Sequence, residues 1–424
     1  MSHYNSHSLR ITSMFDNTYK LPSRNTAQPN NPKNDWIILG SELSPFTLKV
    51  LNYFSYLGIP HRFLYTQGST LENIGIQLRK TLLISGLKKL TCPAEHKDNE
   101  FPLVPFIFGP NGENMYDSSA VAHWLELHPQ IKDQKTLQPS TDPKVRFLIN
   151  LIDEYADEVG LYMVHHNRWK VAAKDNNAGA RLGAELKSVA GPFAQFVDLY
   201  FSARQTRRLP YLFSVAESDF HIDGVKKSRQ PPARDGFPAT HQLLETAFSN
   251  LLNILESIFS ARPYLFGERY TLADASLYGQ LAMNLPDPAA ARWIEQQSPA
   301  TYSWLKRMAQ LDFSSDNADS QAVWSDDLLP LLQEIDRFFV PLMEQNAQAM
   351  ENYEAKGQAL FNEKAFDRNQ SLYDGEIDGM PFKSVAKTFQ RKVWRDLQNQ
   401  AQQLNQEDKN WLRNKMPSLS FFTL

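Results

Sequence analysis

The chain has 424 residues and a mass of 48.6 kDa, too long for one compact core, so two or three domains are expected. A formal net charge of -3, with 42% apolar and 21% charged residues, is a globular balance. It excludes a general nucleic-acid binder, which needs a concentrated positive field. The single cysteine, Cys92, excludes a disulfide framework, a CxxC redox pair and a cysteine-built zinc site, and it fits a reducing compartment.

Residues 1–34 are rich in Ser and Asn and lack the apolar core of a secretory signal, which predicts a disordered tail. Arg10, Lys20, Arg24 and Lys33 give it a faint likeness to a mitochondrial transit peptide. With no apolar run long enough to span a bilayer, the expected location is the cytoplasm and no membrane partner is expected.

WIILG, 36–40, is a short apolar run read as a buried strand. Ser44 then stands at an N-cap position with Pro45 at the first helical position. Phe46, Val50, Leu51, Phe54 and Leu57 form one face of the helix, and Gly58 stops it. HRFLY, 61–65, is a second strand, and a strand–helix–strand unit with short joins makes the two strands parallel. Within 69–90, Leu71, Ile74, Leu78 and Leu82 recur at helical spacing and predict a second helix, with Gly86 as a candidate break. FPLVPFIFGPNGENMY, 101–116, reads as a hairpin turning at 109–112, and a third helix opens at Ser118.

From Asp142 the strand signals stop. Residues 141–170 read as one long helix capped by Thr141 or Asp142, with Tyr155, Tyr162, His166 and Trp169 along one face. Helix-spaced aromatics are more often core than pocket wall, and adjacent His165 and His166 point apart, so no metal site is read there. A helix follows over 240–259. Thr271 with Asp274 then makes a capping box that opens a helix apolar nearly all round, hence buried. Residues 313–424 are expected to be a helical extension that packs on the second domain or caps a cleft.

The order β-α-β-α-β-β-α, with SPFTLKV at 44–50, VPF at 104–106 and YDSSAVAHWLE at 116–126, resembles the thioredoxin-like N-terminal domain of the glutathione transferases. YTLAD, 270–274, inside an all-α region resembles the same family's C-terminal domain. The resemblance implies a thioredoxin-like glutathione-binding domain over 35–130 and an all-helical domain over 141–312. It implies glutathione as co-substrate, a small hydrophobic electrophile and a homodimer.

The resemblance also implies site residues. Ser44 takes the place of the activating hydroxyl, with Ser41 as the fallback. A hydroxyl donor and a helix N-terminus both stabilise a thiolate, whose parent thiol, with a pKa of about 8.5, is mostly protonated at neutral pH. From the local sequence alone Ser44 is an ordinary N-cap. Pro105 is expected to follow a cis bond that turns the backbone of Val104 toward an extended peptide, while Asp117 and Ser118 hold the ligand's ammonium and carboxylate. Tyr155, Tyr162, His166 and Trp169 would wall the electrophile pocket. Arg79, Lys80, Lys88 and Lys89 would meet the glycyl carboxylate or simply be solvated, and the extension would be dispensable for glutathione binding but not for electrophile choice or solubility. A transferase-like scaffold with no activity is the alternative, whereas a thiol–disulfide reductase is disfavoured because no cysteine stands at position 44.

Overall fold

The computed structural model describes residues 35–93, 104–129 and 135–419. The tail over 1–34 lies outside the described residues, as does the part of the 101–116 hairpin segment before Val104. The first domain runs β1 (Trp36–Leu39), α1 (Pro45–Tyr56), β2 (His61–Leu64), α2 (Thr70–Ile84), β3 (Phe106–Phe108), β4 (Asn114–Tyr116) and α3 (Ser118–Glu126). Its sheet has the order β2-β1-β3-β4, with β1 and β2 parallel and β3 antiparallel to both its neighbours. This is a thioredoxin-like arrangement, and it matches the expected element order throughout.

The second domain is all helical. Its first helix is α4 (Pro143–Tyr155), capped by Asp142, whose carboxylate accepts from the N–H of Lys144 at 2.8 Å. It continues through a π turn into α5 (Leu161–His166) and a second π turn that ends at Val171. The expected long helix is therefore present, with two extra-residue turns in it. Next come α6 (Ala178–Glu185), α7 (Lys187–Ala190), α8 (Ala194–Arg207), α9 (His241–Ala261), α10 (Leu272–Ala282), α11 (Pro288–Gln297) and α12 (Pro299–Ala309).

All eleven residues of α10 are buried, and its capping box is complete: Asp274 Oδ2 accepts from the N–H of Thr271 at 3.0 Å. It lies directly against α1. A Cβ added at Gly279 would come within 2.6 Å of the Pro45 carbonyl oxygen, so only glycine permits this approach. The buried helix of the second domain is thus the platform on which α1 and its N-cap rest.

The remaining elements are α13 (Leu329–Glu334), α14 (Val340–Ala355), α15 (Asn362–Asp367), β5 (Leu372–Ile377), β6 (Met380–Val385), α16 (Thr388–Gln402) and α17 (Gln406–Lys415). An all-helical extension was expected, but β5 and β6 form a two-stranded hairpin. Its signal is Asp378-Gly379, both at positive φ between Ile377 and Met380, as a two-residue type I′ turn demands.

The extension is no surface ornament. Leu328, Leu331, Leu332, Phe338, Phe339, Trp394 and Leu397 are buried in the same continuous core as Ile38, Leu48 and Tyr278. Its apolar residues cover a surface, as expected of them, and that surface is the main core. A chain ending at Asp312 would uncover that core and is expected to lose cooperative unfolding and to aggregate. Calorimetry checks this, and a cooperative transition at the full-length temperature would contradict it.

The second helix also corrects an expectation. Its buried residues are Asn73, Ile76 and Leu83, while Leu71, Ile74 and Leu78 are exposed at 83%, 50% and 60%. The helix forms at the predicted spacing, but its stripe of Leu71, Ile74 and Leu78 faces outward. The inner side is set by Asn73, which donates to the carbonyl of Tyr65 at 3.1 Å and to Ser188 Oγ at 2.9 Å.

Candidate functional site

Strand register brings three chain segments to one end of the sheet. Leu39, the last residue of β1, pairs with Phe106, the first of β3, and Phe106 pairs with Tyr116, the last of β4. The loop to Ser44 leaves this end, Val104-Pro105 enters it, and Asp117-Ser118 leaves it beside them. Three of the site segments picked from sequence are therefore neighbours by topology.

Ser44 is half-buried and caps α1, its Oγ accepting from the N–H of Thr47 at 3.3 Å. No acidic side chain stands in the first turn of α1, so the positive end of the helix is left uncompensated there. The Val104-Pro105 peptide is cis, as expected, and so is Cys92-Pro93. Asp117 caps α3 at φ 68, its Oδ1 accepting from the N–H of Ala120 at 3.1 Å. Ser118 is buried, and its carbonyl accepts from the hydroxyl of Tyr53 at 3.1 Å.

The fallback hydroxyl is already engaged. Ser41 is buried, its Oγ accepts from the N–H of Leu43 at 3.1 Å, and it bonds the carboxyl of Glu185. Glu185, at the end of α6, also accepts from the N–H of Glu42 at 3.1 Å. Burial pushes its carboxyl up to about 7, against the Ser41 hydrogen bond and the Arg181 charge. Between its ordinary 4.5 and that value the folded chain holds a proton that the unfolded chain has released. This contribution therefore lowers stability as pH rises from about 4.5 to about 7. Glu185→Gln should flatten that slope and be the more stable form at pH 8, as denaturant titrations at both ends would read.

Beneath the site lies a cluster that the sequence reading did not single out. Lys49 Nζ, fully buried, donates to Asp153 Oδ1 at 2.5 Å, Asp157 Oδ2 at 2.7 Å and Ser119 Oγ at 2.8 Å. Ser276 of α10 also bonds Asp153, and Gln280 bonds Asp157 at 3.2 Å. Burial alone would pull the ammonium down, but Asp153 and Asp157 more than reverse this and hold it above the ordinary lysine value. One lysine thus ties the first turn of α3 to α4 and to the π turn after it. The available signal was a lone cation on an apolar helix, matched by two aspartates four residues apart in another apolar helix.

The four residues expected to wall a pocket have separate surroundings instead. Tyr155 is buried edge-on to Phe339, and Tyr162 stacks on Phe213 while its hydroxyl accepts from Lys387 Nζ at 2.6 Å and Gln390 Nε2 at 2.9 Å. His166 bonds Ser214 and Glu245, and Trp169 packs with Leu43, Ala178 and Leu209. All four are core residues, and the extension covers the hydroxyl of Tyr162. An open groove of about 530 Å³ between Lys170, Phe220 and Trp293 is lined by none of the predicted site residues. Of the four cations offered to the glycyl end, Arg79 donates to Asn114 Oδ1 at 2.8 Å and Lys80 lies over Phe106, while Lys88 and Lys89 are exposed.

A thioredoxin-like domain followed by an all-helical domain, with a capped buried helix under α1, is the build of the glutathione transferases. Residues 234–307, spanning α9 to α12, match the family model described as "Glutathione S-transferase, C-terminal domain". Among solved structures it is similar to a glutathione transferase from Phanerochaete chrysosporium, at 15% identity and a TM-score of 0.41, covering 65% of this chain and 97% of that one. It is also similar to one from Ceriporiopsis subvermispora in complex with glutathione, at 16% identity and a TM-score of 0.39, covering 68% of this chain and 100% of that one. No curated protein matches it. No helix among the described residues is long and apolar enough to cross a membrane.

Proposed function

We propose that the protein is a glutathione transferase that joins glutathione to, or exchanges it on, a small hydrophobic electrophile. The observation that supports this reading most is the register-enforced meeting of the Ser44, Val104 and Asp117 segments at one end of the sheet. Ser44 is the catalytic residue in this reading. Its hydrogen and the N-terminus of α1 stabilise the thiolate, the main chain of Val104, set before Pro105, pairs with the peptide, and Asp117 with Ser118 receives the γ-glutamyl end. The thiolate attacks the electrophilic carbon, a C–S bond forms, and the leaving group departs with its electron pair; an addition substrate instead takes up a proton.

The test is retention on immobilised glutathione with elution by free glutathione, followed by an assay of thiol conjugation. Retention without conjugation of any of a broad set of electrophiles favours the scaffold alternative, and no retention removes the reading. The family also implies a homodimer, and the exposed stripe of Leu71, Ile74 and Leu78 is an apolar surface available to one. Light scattering should give about twice the chain mass at working concentration; the mass of one chain would contradict it.

A further inference from the structure

Helix α8 is built inside out. Its buried residues are polar: Ser202, Gln205 and Thr206, with Thr206 Oγ1 donating to the carbonyl of Ser202 at 2.9 Å and Gln205 bonding His165 at 3.2 Å. Its outer side is apolar. Phe196, Leu199 and Tyr200 stand at i, i+3 and i+4 on one helix face, with Phe193 three residues before, and these four are 58% to 73% exposed. The helix cannot roll to bury them. A Cβ added at Gly183 of α6 would lie 2.8 Å from the Ala194 carbonyl oxygen, so the two helices touch backbone to backbone and fix the rotation of α8.

The charges around this face are sorted. Its acids are paired: Asp198 accepts from Arg229 at 2.9 Å, and Glu363 meets Arg208 at 2.7 Å and Arg204 at 3.6 Å. Asp223 faces His221 at 3.7 Å in the groove beside Trp293. The bond from Arg229 holds the turn over Lys227–Arg229 against α8, and Lys226, Lys227, Lys187 and Arg207 are all exposed. Arg207, eleven residues after Phe196 (207 − 196), continues the same face by three turns. In a chain with a formal net charge of -3, this concentration of cations is local.

We propose that α8 is a docking face for an anionic lipid bilayer. Phe193, Phe196, Leu199 and Tyr200 enter the boundary between headgroups and acyl chains, and the flanking lysines and Arg207 meet the headgroups. Aromatic and leucine side chains beside lysine and arginine suit that layer, where rings sit at the acyl boundary and cations at the phosphates. The helix lies in the plane of the surface and does not span it. A second copy is the poorer occupant, because two-fold pairing of this face sets its cations against the same cations, whereas an anionic surface answers the rings and the charges together.

The experiment is co-sedimentation of the full chain with vesicles of phosphatidylcholine alone and of phosphatidylcholine with about 30% phosphatidylserine. The wild type should bind the anionic vesicles about tenfold more tightly, and the difference should vanish in about 0.5 M salt. Phe196→Ser with Tyr200→Ser should weaken binding to the anionic vesicles about tenfold. Arg207→Gln with Lys227→Gln should bring it down to the level of the neutral vesicles. Where the serine pair melts lower than the wild type, Phe193→Ser serves, with a loss in the same direction.

A wild type that binds neither vesicle, or serine variants that bind as the wild type does, overturn the proposal. So does a wild-type dimer that the serine pair splits into single chains, since the face would then belong to a second copy. Retention on immobilised glutathione should be the same in every variant, which keeps this test apart from that of the transferase reading.

Discussion

Ser44→Ala should shift the pH dependence of conjugation toward higher pH while leaving glutathione affinity nearly unchanged. In the structure the Oγ of Ser44 accepts from Thr47, which occupies one lone pair and leaves the hydroxyl hydrogen available to a ligand. The same residue can therefore cap the helix and bond a thiolate. Losing the cap should cost about 1 kcal/mol of stability. Losing a hydrogen bond to a charged sulfur, worth on the order of 1.5–3 kcal/mol, should lower the thiolate fraction at neutral pH roughly ten- to a hundredfold. The remaining stabilisation comes from the uncompensated end of α1. The checks are the pH–rate profile and the ultraviolet absorbance of the bound thiolate. An unchanged profile with a lower melting temperature would make Ser44 a cap only, and Ser41 would then have to break its contacts with Leu43 and Glu185 to replace it.

Lys49→Met should be the most destabilising single change near the site, by about 3–5 kcal/mol, because it strands buried carboxylates without their cation. Asp153 is wholly buried, and burial pushes Asp157 up to about 6 even with Lys49 beside it. Removing the lysine drives Asp157 further toward the protonated form, so the loss should shrink as the pH is lowered. The triple variant Lys49→Met, Asp153→Asn, Asp157→Asn removes the stranded charge and should recover much of the stability. Urea midpoints of the two variants and the wild type decide this. Equal midpoints for Lys49→Met and wild type would mean that the cluster is not closed to water as the structure has it.

Most of the first domain was legible because its cues are local. Ser44-Pro45, Gly109 to Gly112 and Asp117-Ser118 each specify a turn or cap within a few residues. The same holds for Thr271 and Asp274, whose box fixes the start of α10. What could not be read depends on partners distant in sequence. The stripe of Leu71, Ile74 and Leu78 has ordinary core spacing, and only the bonds of Asn73 to Tyr65 and Ser188 turn it outward. The face of Tyr155, Tyr162, His166 and Trp169 was read as one wall, yet residues between 201 and 390 give each a separate environment. The ion pair of Lys392 with Asp117 carries no local signal at all, since the two lie 275 positions apart (392 − 117).

The burial of Leu397, Leu412, Met416 and Leu419 in the core shared with α1 and α10 bears on how the protein is made. During synthesis the first domain and the helices up to α12 leave the ribosome well before those residues. Until then the apolar faces that the extension covers stay exposed to solvent and to other nascent chains. Closure of the helical core is therefore a late event, completed only when the last described helices emerge, and the interval is when chaperone binding would matter most. The order of folding runs opposite to a chain whose C-terminal segment merely decorates a finished domain.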